Sequence, residues 1–434
     1  MLTAEERASL LSGQFGLTLT SLAISPVDSS RDPSVTGVGI LAQGDGGKLE
    51  LSYVGRIVAP PVMAFPRHPP GTLTDLSDMP TLRATDALGR VWTGSPVRLP
   101  PLCLPGTTSG TGTVAVDRIV ATSETSTDGP TLRLLIPGTF ILPLSRWDIL
   151  DEAVRISLVQ LENGLQVEVH SQDQLPVGYD GWLEEALWFT TGVVSTAVLT
   201  ESRSSGGLEA VISPPTTPAW KSFFPPPLRP LPSNAGNLAE IFRRYLAYVS
   251  GGKDGRFHPT SADLKTVGGG GRPIIDHIAL AVSVAVEALV RREYPTDGTP
   301  TAAVQLALGE LKEHVEAWPG DAEARRRVTG SIQQMLRPNP RSALQRMSKD
   351  GPLLPRHYDD WNALRHAFAH GVGHQDGDLD LLVKRCFSCY QALQALILER
   401  IGYVGTVVDC TTTGWPTVTF PFRRDPPGQN LTRL

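Results

Sequence analysis

The stretch VRISLVQLENGLQVEVHS, Val154 to Ser171, alternates apolar and polar side chains on both sides of Asn163-Gly164. A period of two sorts side chains onto the two faces of a pleated strand. Asn-Gly accepts the positive φ angles of a two-residue turn, so the stretch predicts a β-hairpin. The same texture extends outward from Phe15 to Ser213. FGLTLTSLAI and GVGILAQGDGGKLELSYVG, with a turn at Gly44 to Gly47, are two of its runs, and Gly, Asp, Asn and Pro break it at short intervals. The region predicts an antiparallel sandwich or barrel-like domain with one helix near DGWLEEALWF.

Downstream, PPTTPAWKSFFPPPLRPLP, Pro214 to Pro232, excludes regular helix and central strand, because each proline fixes φ and removes a backbone donor. With Trp220, Phe223 and Phe224 interleaved, it reads as a linker or strap packed along a domain junction rather than as a ligand for a proline-recognition module. The period then becomes helical. NLAEIFRRYLAYVS opens with Asn237 as the expected cap, and IIDHIALAVSVAVEALVRREY is apolar almost all round, as a central bundle helix should be. TAAVQLALGELKEHVEAW, DAEARRRVTGSIQQML, RSALQRMSK, YDDWNALRHAFAHG and DLDLLVKRCFSCYQALQALILERIG follow as further helices, and YVGTVVDCTTTGWPTVTF reads as a final short hairpin or tail. The expectation is an α+β multidomain chain: a β-rich sensing or regulatory domain over 1–213, a strap over 214–235, a helical bundle over 236–405 and a tail over 406–434.

Composition narrows the function classes. At 434 residues the chain is too long for one core, and 41% hydrophobic with 19% charged residues describes a globular protein. Cys103, Cys386, Cys389 and Cys410 are few for this length, and no signal-peptide order is visible at the N-terminus, so a cytoplasmic protein is expected. The longest apolar run, Ile278 to Val286, is too short to span a bilayer, so no membrane segment is expected. Residues 1–234 carry 15 Lys+Arg against 23 Asp+Glu (−8), and residues 235–434 carry 24 against 21 (+3). Neither half is a strongly basic coat, so a polyanion site would have to be a local patch.

One such patch lies in WNALRHAFAHG, Trp361 to Gly371, where Arg365, His366 and His370 fall within six residues. A C-terminal imidazole favoured by the helix dipole, capped by Gly371, accounts for His370 alone. It leaves Arg365 and His366 unexplained, since His366 and His370 share a face and repel unless an anion such as a phosphate sits among them.

Arg365-His366-Ala367-Phe368-Ala369-His370, late in a helical bundle and followed by Gly371, resembles the Arg-x4-6-His signature of the HEPN superfamily, over about residues 236 to 405. The β-rich first half, with GKLELSYVG and LEEALWFTTG, is similar in layout to the ApeA-like branch. The resemblance implies an HEPN bundle that cuts RNA without metal or cofactor, through the substrate's 2′-hydroxyl, in a site composed across a homodimer. It gives His370 the role of general acid or base, Arg365 that of steadying the phosphate charge, and His366 that of orienting either. It further implies a prokaryotic antiviral defence or toxin-like effector, with a trigger ligand or phage protein bound by the first domain. The alternative is a silent HEPN domain serving dimerisation or nucleotide binding.

Other constellations carry less. Cys386-x-x-Cys389 lacks a second ligand pair and lies in a helical apolar pattern, which favours buried thiols over zinc. His366, His370 and His374 lack a metalloprotease glutamate, and Arg365 repels a cation. Gly268 to Gly271 lacks the Lys-Ser/Thr of a phosphate loop and reads as linker. Arg325, Arg326 and Arg327 are candidate RNA-binding residues beside the ordinary reading of a solvated helix end. Asp359 and Asp360 suit the start of the motif helix, where negative charge meets the positive dipole end.

Overall fold

The computed structural model describes residues 2–25, 35–44, 47–57, 80–94, 97–98, 109–123, 130–150, 154–204, 207–213, 220–251, 258–268, 274–369 and 379–422. The chain divides into two compact units, one of residues 1–184 and 193–221, the other of residues 185–192 and 222–434. It has the expected α+β order, antiparallel sheet first and helices second.

Fourteen strands of the first unit form one sheet, in the order Arg146–Leu150, Val154–Leu161, Gly164–Ser171, Leu132–Pro137, Leu199–Ser204, Gly207–Ile212, Ile119–Ser123, Val91–Gly94, Thr81–Asp86, Gly16–Ser25, Val35–Gln43, Leu49–Ile57, Ser109–Val116 and Val97–Arg98. Val91–Gly94 and Val97–Arg98 stand six places apart in this order, about 29 Å in a flat sheet. The chain passes between them in three steps, which span at most about 11 Å. The eight strands from Ile119–Ser123 to Val97–Arg98 therefore curl back on themselves, and a Cβ placed on Gly94 would lie 3.2 Å from Val116 Cγ1. This is the barrel-like arrangement read from the alternating pattern. Its interior is apolar, with Leu17, Leu19, Leu41, Leu51, Trp92, Val114 and Ile119 all buried.

The hairpin at 154–171 is present, with a different turn. Leu161 pairs with Gly164, so the two-residue loop is Glu162-Asn163, and Asn163 is not among the positive-φ residues. Gly164 serves another purpose: a Cβ there would lie 2.5 Å from the Ile136 carbonyl oxygen and 2.9 Å from the Leu11 side chain. Gly44 and Gly47 close the expected turn, the Gly47 N–H donating to the Gly44 carbonyl at 3.1 Å with Gly47 at φ 80°.

The helices are α1 (Ala4–Leu11), α2 (Tyr179–Thr191), α3 (Ala235–Ser250), α4 (Pro259–Gly268), α5 (Ile275–Glu293), α6 (Ala302–Ala317), α7 (Ala322–Met335), α8 (Pro340–Asp350), α9 (Pro355–Ala369) and α10 (Leu379–Arg400). Three expectations are corrected. The sequence reading placed no helix between 251 and 273, yet α4 occupies part of that stretch, with Leu264 and Val267 buried. Asn237 is not the cap of α3, which starts at Ala235 after Asn234; the Asn237 side chain donates instead to Thr406 Oγ1 at 3.0 Å. Asp359 and Asp360 do not start α9, which begins at Pro355, where a missing N–H costs nothing; Asp360 faces Arg385 at 3.8 Å.

α5 is the central helix, with Ile278, Val282, Val286 and Leu289 buried, and it packs on α9 and α10. It is not buried on every side: His277, Leu280, Val284 and Arg291 form an exposed stripe, two of whose four residues are apolar. α10 is long and apolar enough to cross a membrane by length and composition, and most of it is buried within the helical unit, Cys386, Cys389 and Leu393 included. Burial raises the Cys386 thiol to about 12 and pushes that of Cys389 well up, which is the behaviour of inert core cysteines. The second half of the proline-rich strap belongs to this unit. Phe224 stacks on Tyr390 at 4.1 Å between ring centroids, and Gln394 Nε2 donates to the Pro225 carbonyl. Gly405–Val408 and Thr417–Phe420 form the expected terminal hairpin.

Candidate functional site

The motif helix α9 is held by an inward stripe of His357, Trp361 and Leu364, spaced four and three apart, all buried. His357 is 1% exposed. Its Nδ1 accepts the Leu354 N–H at 3.2 Å, and its Nε2 lies 3.2 Å from Gln391 Oε1, while Gln391 Nε2 donates to the Val408 carbonyl. Burial lowers the imidazole to about 4, so it is neutral at pH 7, and the chain of bonds ties α9, α10 and the terminal hairpin together. Beside it, Arg356 Nη2 donates to Asp409 Oδ2 at 2.8 Å. The Asp409 carboxyl, although partly buried, is held at about 2 by hydrogen bonds from Thr411, Thr412 and Arg356.

Trp361 sets the register of α9 on α5. Its indole Nε1 donates to the Ser283 carbonyl at 3.0 Å. One turn on along both helices, Arg365 meets Glu287, with Nε donating to Oε2 at 2.6 Å. The other oxygen of Glu287 accepts from Arg291 Nη2, also at 2.6 Å. One carboxylate thus serves two guanidinium groups. The Arg365 side chain is 37% exposed and that of Glu287 15%. Nε is used by Glu287, and among the described residues no partner is recorded for the two Nη groups, the pair suited to an oxyanion.

Of the residues singled out in the sequence, Arg365 and His366 are adjacent near the C-terminal end of α9, and His366 is exposed. His370, Gly371 and His374 lie outside the described residues, as does Cys103. Among the described residues no group of three or more His, Cys, Asp or Glu is arranged to hold a metal ion. Arg325, Arg326 and Arg327 are on α7, which packs on α6, whereas α9 packs on α5, α8 and α10. Their side chains have local partners: Arg325 Nη1 donates to the Trp318 carbonyl at 2.8 Å, and Arg326 and Arg327 both pair with Glu323. Glu316 shares a shallow cleft with Arg325 and Arg326, which offsets part of their charge.

Glu287 is the site residue that the sequence reading missed. A signal was present, since an acid inside VAVEALV, an otherwise apolar run, needs a cation partner once the helix packs. No family model, curated protein or solved structure matches this chain.

Proposed function

We propose that the chain is a metal-independent endoribonuclease of HEPN type. Arg365 would bind the scissile phosphate, His370 would move the protons, and His366 would orient one or the other. The observation that carries the reading is the fixed, half-exposed Arg365. Trp361 fixes the register of α9 on α5 and Glu287 holds Arg365 from α5, so its guanidinium would meet an incoming phosphate with little freedom left to lose. His366 adjoins it on the exposed side of the helix. An imidazole suits proton transfer near neutral pH, and a 2′-hydroxyl nucleophile confines the reaction to RNA. A second motif helix from another copy would complete the site.

A specific observation also favours the second reading, a silent HEPN-like module for dimerisation or nucleotide binding. Glu287 already balances part of the charge on Arg365 and Arg291. The two readings separate when purified protein is incubated with total cellular RNA beside Arg365→Ala and His370→Ala variants. Cleavage lost in both variants, with unchanged melting, supports the nuclease; a wild-type protein that binds RNA or nucleotides and leaves RNA intact supports the silent module.

A further inference from the structure

The hairpin of α6 and α7 presents an apolar surface that nothing among the described residues covers. None of the 16 residues of α6 is buried, and on α7 only Ile332 is. Val304 and Leu311 on α6 and Trp318, the residue just after it, are each 46% exposed, and they are spaced seven and seven. The half-buried Leu308 and Val315 fall between them, which gives the four-three-four-three spacing of a coiled-coil seam. α7 repeats the spacing with Val328 at 43% and Met335 at 59% exposed. A residue repeated every seven stays on one side of a helix that wraps gently around a neighbour.

The charges are distributed to match. α6 carries Glu310, Glu313 and Glu316 against Lys312, a balance of −2, while α7 carries Arg325, Arg326 and Arg327 against Glu323, a balance of +2. Glu313 and Glu316 of α6 and the three arginines of α7 lie at the same end of the hairpin, beside the 318–321 turn, with Glu310 at mid-helix. We propose that this surface docks a second copy of the same chain, hairpin against hairpin with the turns together. The acidic α6 of each copy then faces the basic α7 of the other in a four-helix bundle.

The pairs within one copy leave the net balances of the two helices standing, and a two-fold contact complements both at once, whereas an acidic partner would complement only α7 and a basic one only α6. Two helices about 24 Å long, side by side over about 20 Å, give a footprint of about 480 Å² per copy. The total, about 1,000 Å², is the size of weak, transient interfaces rather than of permanent ones. The inference goes beyond the nuclease reading, which requires two motif helices to meet and names no surface. It assigns Arg325, Arg326 and Arg327 to a protein contact rather than to RNA.

Sedimentation velocity on the full chain, over a dilution series through the micromolar range, tests it. The expected result is a monomer–dimer equilibrium. Glu313→Arg with Glu316→Arg on α6 should weaken it at least tenfold, as should Arg325→Glu with Arg326→Glu on α7, and the four substitutions together should restore it. All four positions are partly or fully solvent-facing, and circular dichroism of each variant checks that helicity is kept. As a second probe, Leu311→Glu should also give monomer. A wild-type protein monomeric throughout, or a dimer indifferent to the charge swaps and to Leu311→Glu, overturns the proposal. RNA cleavage by a dimer of the second kind would leave the nuclease reading standing with its contact elsewhere.

Discussion

His357 makes the stability of the helical unit depend on acid in a calculable way. Its imidazole is buried and neutral, with a folded value of about 4 against 6.5 for an exposed histidine. On acidification the unfolded chain takes up a proton first, so this group's contribution to stability is intact above about pH 7 and is lost as pH falls from there towards 4. Between about pH 7.5 and pH 5 the linkage amounts to about 2 kcal/mol, approaching about 3 kcal/mol once both states are protonated. Urea titrations at the two pH values, followed by far-ultraviolet circular dichroism, measure it. His357→Gln keeps a polar group near Gln391 and cannot titrate, so its stability should change less over the same interval by about 2 kcal/mol. Equal pH dependence in wild type and His357→Gln would refute the buried neutral imidazole as the source.

Other outcomes follow from the geometry. Gly164→Ala places a Cβ 2.5 Å from the Ile136 carbonyl oxygen, so it should lower the stability of the β unit by about 1–3 kcal/mol, read by thermal melting. Glu287→Gln removes the anion between Arg365 and Arg291 at a cost of about 1 kcal/mol or less, since Arg291 is well exposed and Arg365 half-exposed. On the nuclease reading the same change loosens Arg365 and lowers kcat by about tenfold with a smaller effect on KM. On the silent-module reading it only tightens RNA or nucleotide binding.

Much of the fold was legible in the sequence because the two halves use different periods. Alternation in LQVEVHS and the helical spacing of VSVAVEALV are each local, and each half buries the face its period marks. What was not legible depended on approach between distant segments. The turn at 162–163 slips one residue earlier than Asn-Gly suggests, because Gly164 is needed where the backbone passes Ile136 and Leu11. α4 has too few apolar positions to show a period, although Pro259 at its first residue was a usable start signal. At the site, Arg365 and His366 stood out as polar groups crowded at one helix end. The partner of Arg365, Glu287, lies 78 residues away in sequence, and the packing of α9 on α5, with the Trp361–Ser283 bond one turn away, brings the two together. His357 was overlooked although it falls on the same four-three spacing as Trp361 and Leu364, which is the sign of a buried ring.

The chemistry of the cut ends tests the central claim most directly. RNA treated with the purified protein in excess EDTA should carry 2′,3′-cyclic phosphates upstream of each cut and 5′-hydroxyls downstream, with no such ends from Arg365→Ala or His370→Ala. Ends bearing 5′-phosphate, or cleavage stopped by EDTA and restored by magnesium, would contradict it.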